Sequence, residues 1–187
     1  MTEVLAAPSM RDVIDAGYGN VVLRAAMEEH GELIRELVNF DTMHFSRVGE
    51  DMPEYCASSS ATRSWIEGTS DDDIPYPTSK YGIWAEDEIV GCAGHRYTDT
   101  MFPQIWVWIG AEKLRLGHAT AAIQTLTGEL FRIEVPQVDA WILEGNIASR
   151  RAFLKLGFRV GKQTVTADGC YIQHYAERLY SGANASR

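Results

Sequence analysis

Cysteine is scarce in this chain and basic charge is outnumbered. Cys56, Cys92 and Cys170 are odd in number, far apart and form no Cys-x-x-Cys pair, which argues against a disulfide scaffold or a thiolate zinc site and suits a reduced, cytoplasmic compartment. The five histidines, at 30, 44, 95, 118 and 174, nowhere show the two-histidine spacing of a helical metal site, so no metal is expected. With 17 Lys and Arg against 26 Asp and Glu, the net charge is −9. A chain so short of cations lacks the basic face that nucleic acid or an anionic membrane requires, whereas a cationic substrate is compatible with it. No apolar run is long enough to cross a bilayer, and Glu3 stands where a signal peptide wants a base.

What is present is ordinary globular material, 45% hydrophobic over 187 residues, which suits one domain. Residues 1–20 read as an N-terminal extension, 21–180 as the domain and 181–187 as a C-terminal tail. A strand over 21–24 precedes a helix over 28–40 that sets Ile34, Leu37 and Val38 on one face. Residues 40–80 are polar, with a short helix expected around Trp65. Strands over 81–85 and 89–94, joined by the acidic turn at 86–88, form a hairpin, and 104–110 returns as a third strand. A helix from 117 leads to a strand over 138–143. Such a crossover places the flanking strands parallel. Asn146 caps a further helix that Gly157 stops, and strands over 159–166 and 171–178 close the chain around an Asp168-Gly169 turn. The fold class is thus α/β, a mixed and mostly antiparallel sheet with helices on both faces.

Between the strand at 104–110 and the helix that follows lies Glu112-Lys113-Leu114-Arg115-Leu116-Gly117-His118-Ala119-Thr120. Two cations and two small residues at a helix start make an anion site, because free N–H groups and the helix dipole favour phosphate. Downstream runs Asn146-Ile147-Ala148-Ser149, then Phe153 and Gly157-Phe158. Gly-His-Ala-Thr followed by Asn-x-x-Ser-x-x-x-Phe-x-x-x-Gly-Phe resembles the GNAT N-acetyltransferase superfamily, in the branch of ribosomal-protein N-terminal acetyltransferases (RimJ/RimL type). The resemblance spans roughly residues 22–179. It implies that the strands either side of the first motif splay into a wedge for acetyl-coenzyme A, with Trp108, Ile109 and Gly110 lining it through unpaired backbone groups. It assigns the pyrophosphate to Arg115, Leu116, Gly117, His118, Ala119 and Thr120, and further coenzyme contacts to Asn146, Ser149 and Arg151. His118 is expected exposed beside the coenzyme.

The implied reaction is acetyl transfer from acetyl-CoA to a primary amine, a protein N-terminus or a small molecule, in a ternary complex. A homodimer is compatible with it. A catalytically degenerate coenzyme-binding module is the alternative, because the chain departs from the family pattern at three places. An alkylammonium is only about 0.1% neutral at pH 7, so a base is wanted. Many relatives carry a glutamate where this chain has Gln104, which leaves Asp99, His95 and Glu144 as candidates. Relatives with a tyrosine seven residues after the asparagine use it as an acid for the leaving thiolate; here Phe153 cannot donate, and Ser149 is the nearest substitute. Leu114 replaces a polar residue of the phosphate turn, with Arg115 one place on to supply charge. The run Asp71-Asp72-Asp73 reads as a solvated loop, its other reading being, with Asp99, an acidic attractor for a cationic amine.

Overall fold

The structure, a computed structural model, describes residues 16–26, 30–39, 58, 60, 78–98 and 101–179. Eight strands form one sheet in the order β1-β2-β3-β4-β5-β6-β8-β7. They are β1 (Ala16–Tyr18), β2 (Val21–Ala25), β3 (Thr78–Ala85), β4 (Glu88–Arg96), β5 (Gln104–Ile109), β6 (Gln137–Leu143), β7 (Arg159–Thr166) and β8 (Gly169–Glu177). Among the described residues they are accompanied by the helices α1 (Gly31–Asn39), α2 (His118–Arg132) and α3 (Ile147–Lys155). Part of the segment expected as an extension lies along the domain, since Ala16–Tyr18 pairs with Val21–Leu23 across a turn at Gly19. The helix expected near Trp65 falls outside the described residues.

Every neighbouring pair is antiparallel except β5 and β6. The strand alternation divides the sheet into two faces. On one, Val21, Leu23, Tyr81, Ile83, Ile105 and Ile109 meet Ala122, Ile123, Leu126 and Leu130 of α2 and Phe153 of α3 in the main core. Full burial of each Leu or Ile contributes about 1.5–3 kcal/mol. On the other face, Ile34 of α1 packs with Ile89 and Cys92, flanked by Trp84, Trp106 and Trp108. Helices therefore cover both faces, as the sequence suggests.

The helix α3 is fixed at both ends by local chemistry. The Asn146 side-chain oxygen accepts from the Ser149 N–H at 3.1 Å, which satisfies one of the four orphan donors of the first turn. At the other end Gly157 is left-handed, with φ +85°. The Gly157 and Phe158 N–H groups return to the Leu154 and Phe153 carbonyls, a double closure that needs that glycine conformation.

Candidate active site

The parallel pair β5–β6 is joined at one end only. Gln104 and Asp139 are its single register pair, and the Asp139 N–H donates to the Pro103 carbonyl at 2.9 Å. Beyond that point the strands part, β5 continuing to Ile109 on β4 and β6 to Leu143 on β8. The result is the wedge that the resemblance implies, with its apex at Gln104/Asp139 and its mouth at the strands' C-terminal ends.

Register decides which backbone groups face this opening, and the outcome differs in part from expectation. The Gly110 N–H is spent on the Val90 carbonyl at 3.0 Å. Counting back in twos, Trp108 and Trp106 share that ladder with Cys92 and Gly94, because bonded and non-bonded pairs alternate in antiparallel sheets. Trp108 and Gly110 are thus tied to β4, and the Trp108 ring packs in the α1-side cluster. The groups of Val107 and Ile109 turn to the opposite edge and line the wedge. Of the residues expected along the wedge, Ile109 turns its backbone groups to this edge, as does Val107, which the sequence did not single out.

At the mouth the chain makes a short 3-10 turn, Ala111–Lys113, and then reverses into α2. Both Arg115 (φ +65°) and Gly117 (φ +88°) are left-handed. Gly117 is the N-cap of α2 and no side chain caps the helix, so no side chain competes for the amides of its first turn, at His118, Ala119 and Thr120. A Cβ built on Gly117 meets nothing within 4 Å. An uncapped helix start with open space above it fits a pyrophosphate. Of the two cations expected there, Lys113 is engaged by Glu88 at 2.7 Å, while Arg115 is exposed and, among the described residues, makes no ion pair. Leu116 is exposed as well.

His118 departs from expectation: it is 6% exposed, and its Nδ1 has no hydrogen-bond partner among the described residues. The cause is helical spacing, since His118, Ala122, Thr125 and Leu126 form the stripe that α2 turns to the core.

The α3 start stands beside the same mouth, directly after β6. Glu144 is exposed, with its N–H bound to the Cys170 carbonyl and its own carbonyl accepting from Arg150 Nη1. Ser149 is half-buried one turn into α3, and Arg151 is exposed. Phe153, on Ser149's side of the helix, is 3% exposed against Phe158, with ring centroids 4.9 Å apart, and belongs to the core. Of the other base candidates, Asp99 lies outside the described residues, as do Asp71, Asp72 and Asp73. His95 is paired with Ile105 on the α2 face and stacked on Tyr81 at 6.3 Å. Burial pushes its pKa down to about 4. It does not face the cleft.

On the opposite, α1 face, a cavity of about 530 Å3 lies over the split. Arg96 and Gln104 stand at its apex end, Trp106 and Trp141 along its floor, and Thr166, Asp168 and Tyr171 of the β7–β8 hairpin at its far wall. Asp168 is the single carboxylate among the described residues that line it. Close to the apex Asp139 is 2% exposed, its two oxygens accepting from Gln137 Nε2 at 2.7 Å and Gln173 Nε2 at 2.8 Å. Asp139 stands in the sequence as the one charged residue of β6. That was the available signal.

Among the described residues no helix is long and apolar enough to cross a membrane, and no group of His, Cys, Asp and Glu could hold a metal.

Comparison with known proteins agrees with this architecture. No curated protein matches the sequence. Among solved structures, the ribosomal L7/L12 alpha-N-protein acetyltransferase RimL in complex with coenzyme A is 18% identical with TM-score 0.74, over 86% of this chain and 95% of that one. The microcin C7 self-immunity acetyltransferase MccE, in complex with acetyl-CoA and AMP, is 18% identical with TM-score 0.73, over 88% and 98%. The aminoglycoside acetyltransferase AAC(6')-Ib in complex with coenzyme A is 19% identical with TM-score 0.70, over 84% and 95%. At such identities the likeness is one of fold. The sequence itself matches the acetyltransferase (GNAT) domain over residues 20–159, and the chain belongs to that family as an acetyl-CoA-dependent acetyltransferase.

Proposed function

We propose that this chain transfers acetyl from acetyl-CoA to a primary amine by direct attack within a ternary complex, the coenzyme lying in the β5–β6 wedge and the amine entering from the α1-face cavity. The observation that carries the reading is the split itself. It is open on one side to the uncapped start of α2 and on the other to a cavity with aromatic walls. In such an arrangement the α2 amides and Arg115 hold the pyrophosphate, and the free backbone groups of Val107 and Ile109 hold the pantetheine arm. The Asn146 amide nitrogen, left over after its oxygen caps α3, is available for a further contact. Holding the two reactants together across the split removes the entropic cost of their meeting, which is a large part of what a two-substrate enzyme supplies.

The nature of the amine is suggested only in outline. The branch resemblance favours a protein N-terminus, and RimL is a protein acetyltransferase; AAC(6')-Ib, with the same fold, acts on aminoglycosides. The test is free-thiol release from acetyl-CoA across a panel of peptide N-termini, amino acids and aminoglycosides. Amine-dependent release is the expected result. Release at the same slow rate with and without every amine would leave a coenzyme-binding module without transfer.

A further inference from the structure

We infer that Asp139 is the carboxylate that receives the amine's proton in this chain, through water at the apex of the split, and so fills the role that Gln104 cannot. The inference rests on the proposed transfer to an amine and assigns one step of it. Asp139 is the register partner of Gln104 across the parallel pair, so the two Cα atoms lie about 5 Å apart on adjacent strands. Register partners point to the same face. Gln104 alternates with Trp106 and Trp108 toward the α1 side, and Asp139 with Trp141, while Val138, Ala140 and Ile142 turn to the core. Asp139 therefore lies beside the apex end of the cavity, between Gln104 and Trp141, which line it, and is not itself among the lining residues. A carboxylate is present at the level where the β5 side chain is a neutral amide. It stands one strand over.

The groups that hold Asp139 are neutral. Asp139 is 2% exposed and no ion pair engages it among the described residues; two neutral amides, from Gln137 and Gln173, hold its oxygens. A buried carboxylate without a cation is costly, and a fold that needed only structure there could use an amide or an apolar residue. Each oxygen accepts one hydrogen bond and has a second lone pair left. The Gln104 amide donates to Thr98 Oγ1 at 3.2 Å and does not cover the carboxylate. Among the described residues, the charged and titratable groups on this face of the neighbouring strands are Arg96 at the end of β4, Tyr171, Tyr175 and Glu177 on β8, Arg159 over the Tyr175 ring and paired with Glu177, and Asp168 in the hairpin turn.

In the step itself an ammonium gives one proton through water to the Asp139 carboxylate and becomes a neutral amine. The amine nitrogen forms a bond to the acetyl carbonyl carbon as the carbon–sulfur bond breaks, and the sulfur leaves with the electron pair. The second nitrogen proton goes to the thiolate, and the Asp139 acid returns its proton to solvent. The products are an amide, a thiol and one proton.

The test is Asp139→Asn, assayed as kcat/KM against pH with two acceptors, an alkylamine and an amine of low basicity already neutral at pH 7. The Gln137 amide can turn to accept from the asparagine nitrogen while Gln173 still donates to its oxygen, so the variant keeps its hydrogen bonds; its unfolding midpoint and its coenzyme affinity by calorimetry are measured alongside. The expected loss with the alkylamine at pH 7 is about a hundredfold or more, in the range of general-base effects. It should shrink as pH rises toward the amine's own pKa, and be nearly absent with the weakly basic acceptor. An equal loss for both acceptors at every pH, or none, overturns the assignment. Should that variant fail to fold, Asp139→Ser, which removes the carboxylate and can still accept from a glutamine amide, is assayed with the same two acceptors under the same criteria. Wild-type turnover of the amine panel is the control, since its absence would fail the transfer reading as a whole.

Discussion

At the residue scale the α3 start carries the most chemistry. The Ser149 backbone is fixed by Asn146 and its side chain is half-buried at the wedge mouth. If its hydroxyl donates to the departing thiolate, the bond strengthens only as charge develops, so the effect appears in turnover rather than binding. Ser149→Ala is expected to lower kcat by roughly tenfold to a hundredfold, at the low end of acid–base effects because a thiolate leaves readily. Coenzyme affinity measured by calorimetry should hold. Full activity would return the step to water, and a loss of affinity would assign Ser149 to binding. Phe153 stands where relatives carry a tyrosine, and its ring is 3% exposed between Phe158 and His174. Phe153→Tyr should therefore bring no gain in rate. Phe153→Ala should cost about 3–5 kcal/mol in urea unfolding, as for other buried aromatics.

At the element scale the strand-to-helix turn from Ile109 to Thr120 organises the coenzyme side. Gly117 sits at φ +88°, where a side chain is strained whatever the space around it, although the space itself is open. Gly117→Val should weaken coenzyme binding at least tenfold, about 1.4 kcal/mol. Gly117→Asn, which tolerates the left-handed region better, serves as the comparison. Unchanged affinity in a folded Gly117→Val protein would remove this turn from the site. The turn and α3 were legible in the sequence because both are local: spacing, caps and glycines act within a few residues. The strands from β2 onward were legible for the same reason, each falling within a few residues of its expected span, while β1 lies in the segment read as an extension. What local pattern could not reveal was pairing. That Gly110 and Trp108 belong to β4, and that Asp139 stands opposite Gln104, follow from contacts between segments far apart in the chain. The expectation for His118 differs because its place beside Gly117 in the phosphate turn suggested exposure, while its spacing to Ala122 and Leu126 puts it on the buried stripe.

At the scale of the whole molecule, the two-faced sheet leaves polar groups under α2 and α3 whose ionisation opposes folding. His95 lies beneath α2 against Tyr81, its pKa pushed down to about 4 by burial. His174 is fully buried under α3, its pKa also lowered, first by burial and further by the nearby Arg150 charge, against a partial offset from the Ile172 carbonyl. The raised Tyr81 pKa, again mainly from burial, adds no charge to this region near neutrality. Both rings are neutral in the folded chain but titrate near 6.5 once unfolded. Stability is therefore full above about pH 6.5 and falls as pH drops, because the unfolded chain then binds more protons. For His95 the loss approaches about 3 kcal/mol near pH 4 and levels off below its folded pKa, each pKa unit being worth about 1.4 kcal/mol. The check is urea unfolding at pH values from 8 down to 4 for wild type and His95→Leu. The variant should lose that share of the acid-side slope, whatever its stability at pH 8. Parallel pH curves for the two proteins would mean that His95 does not set the acid limit, and the same comparison with His174→Leu would then show whether the second buried ring does.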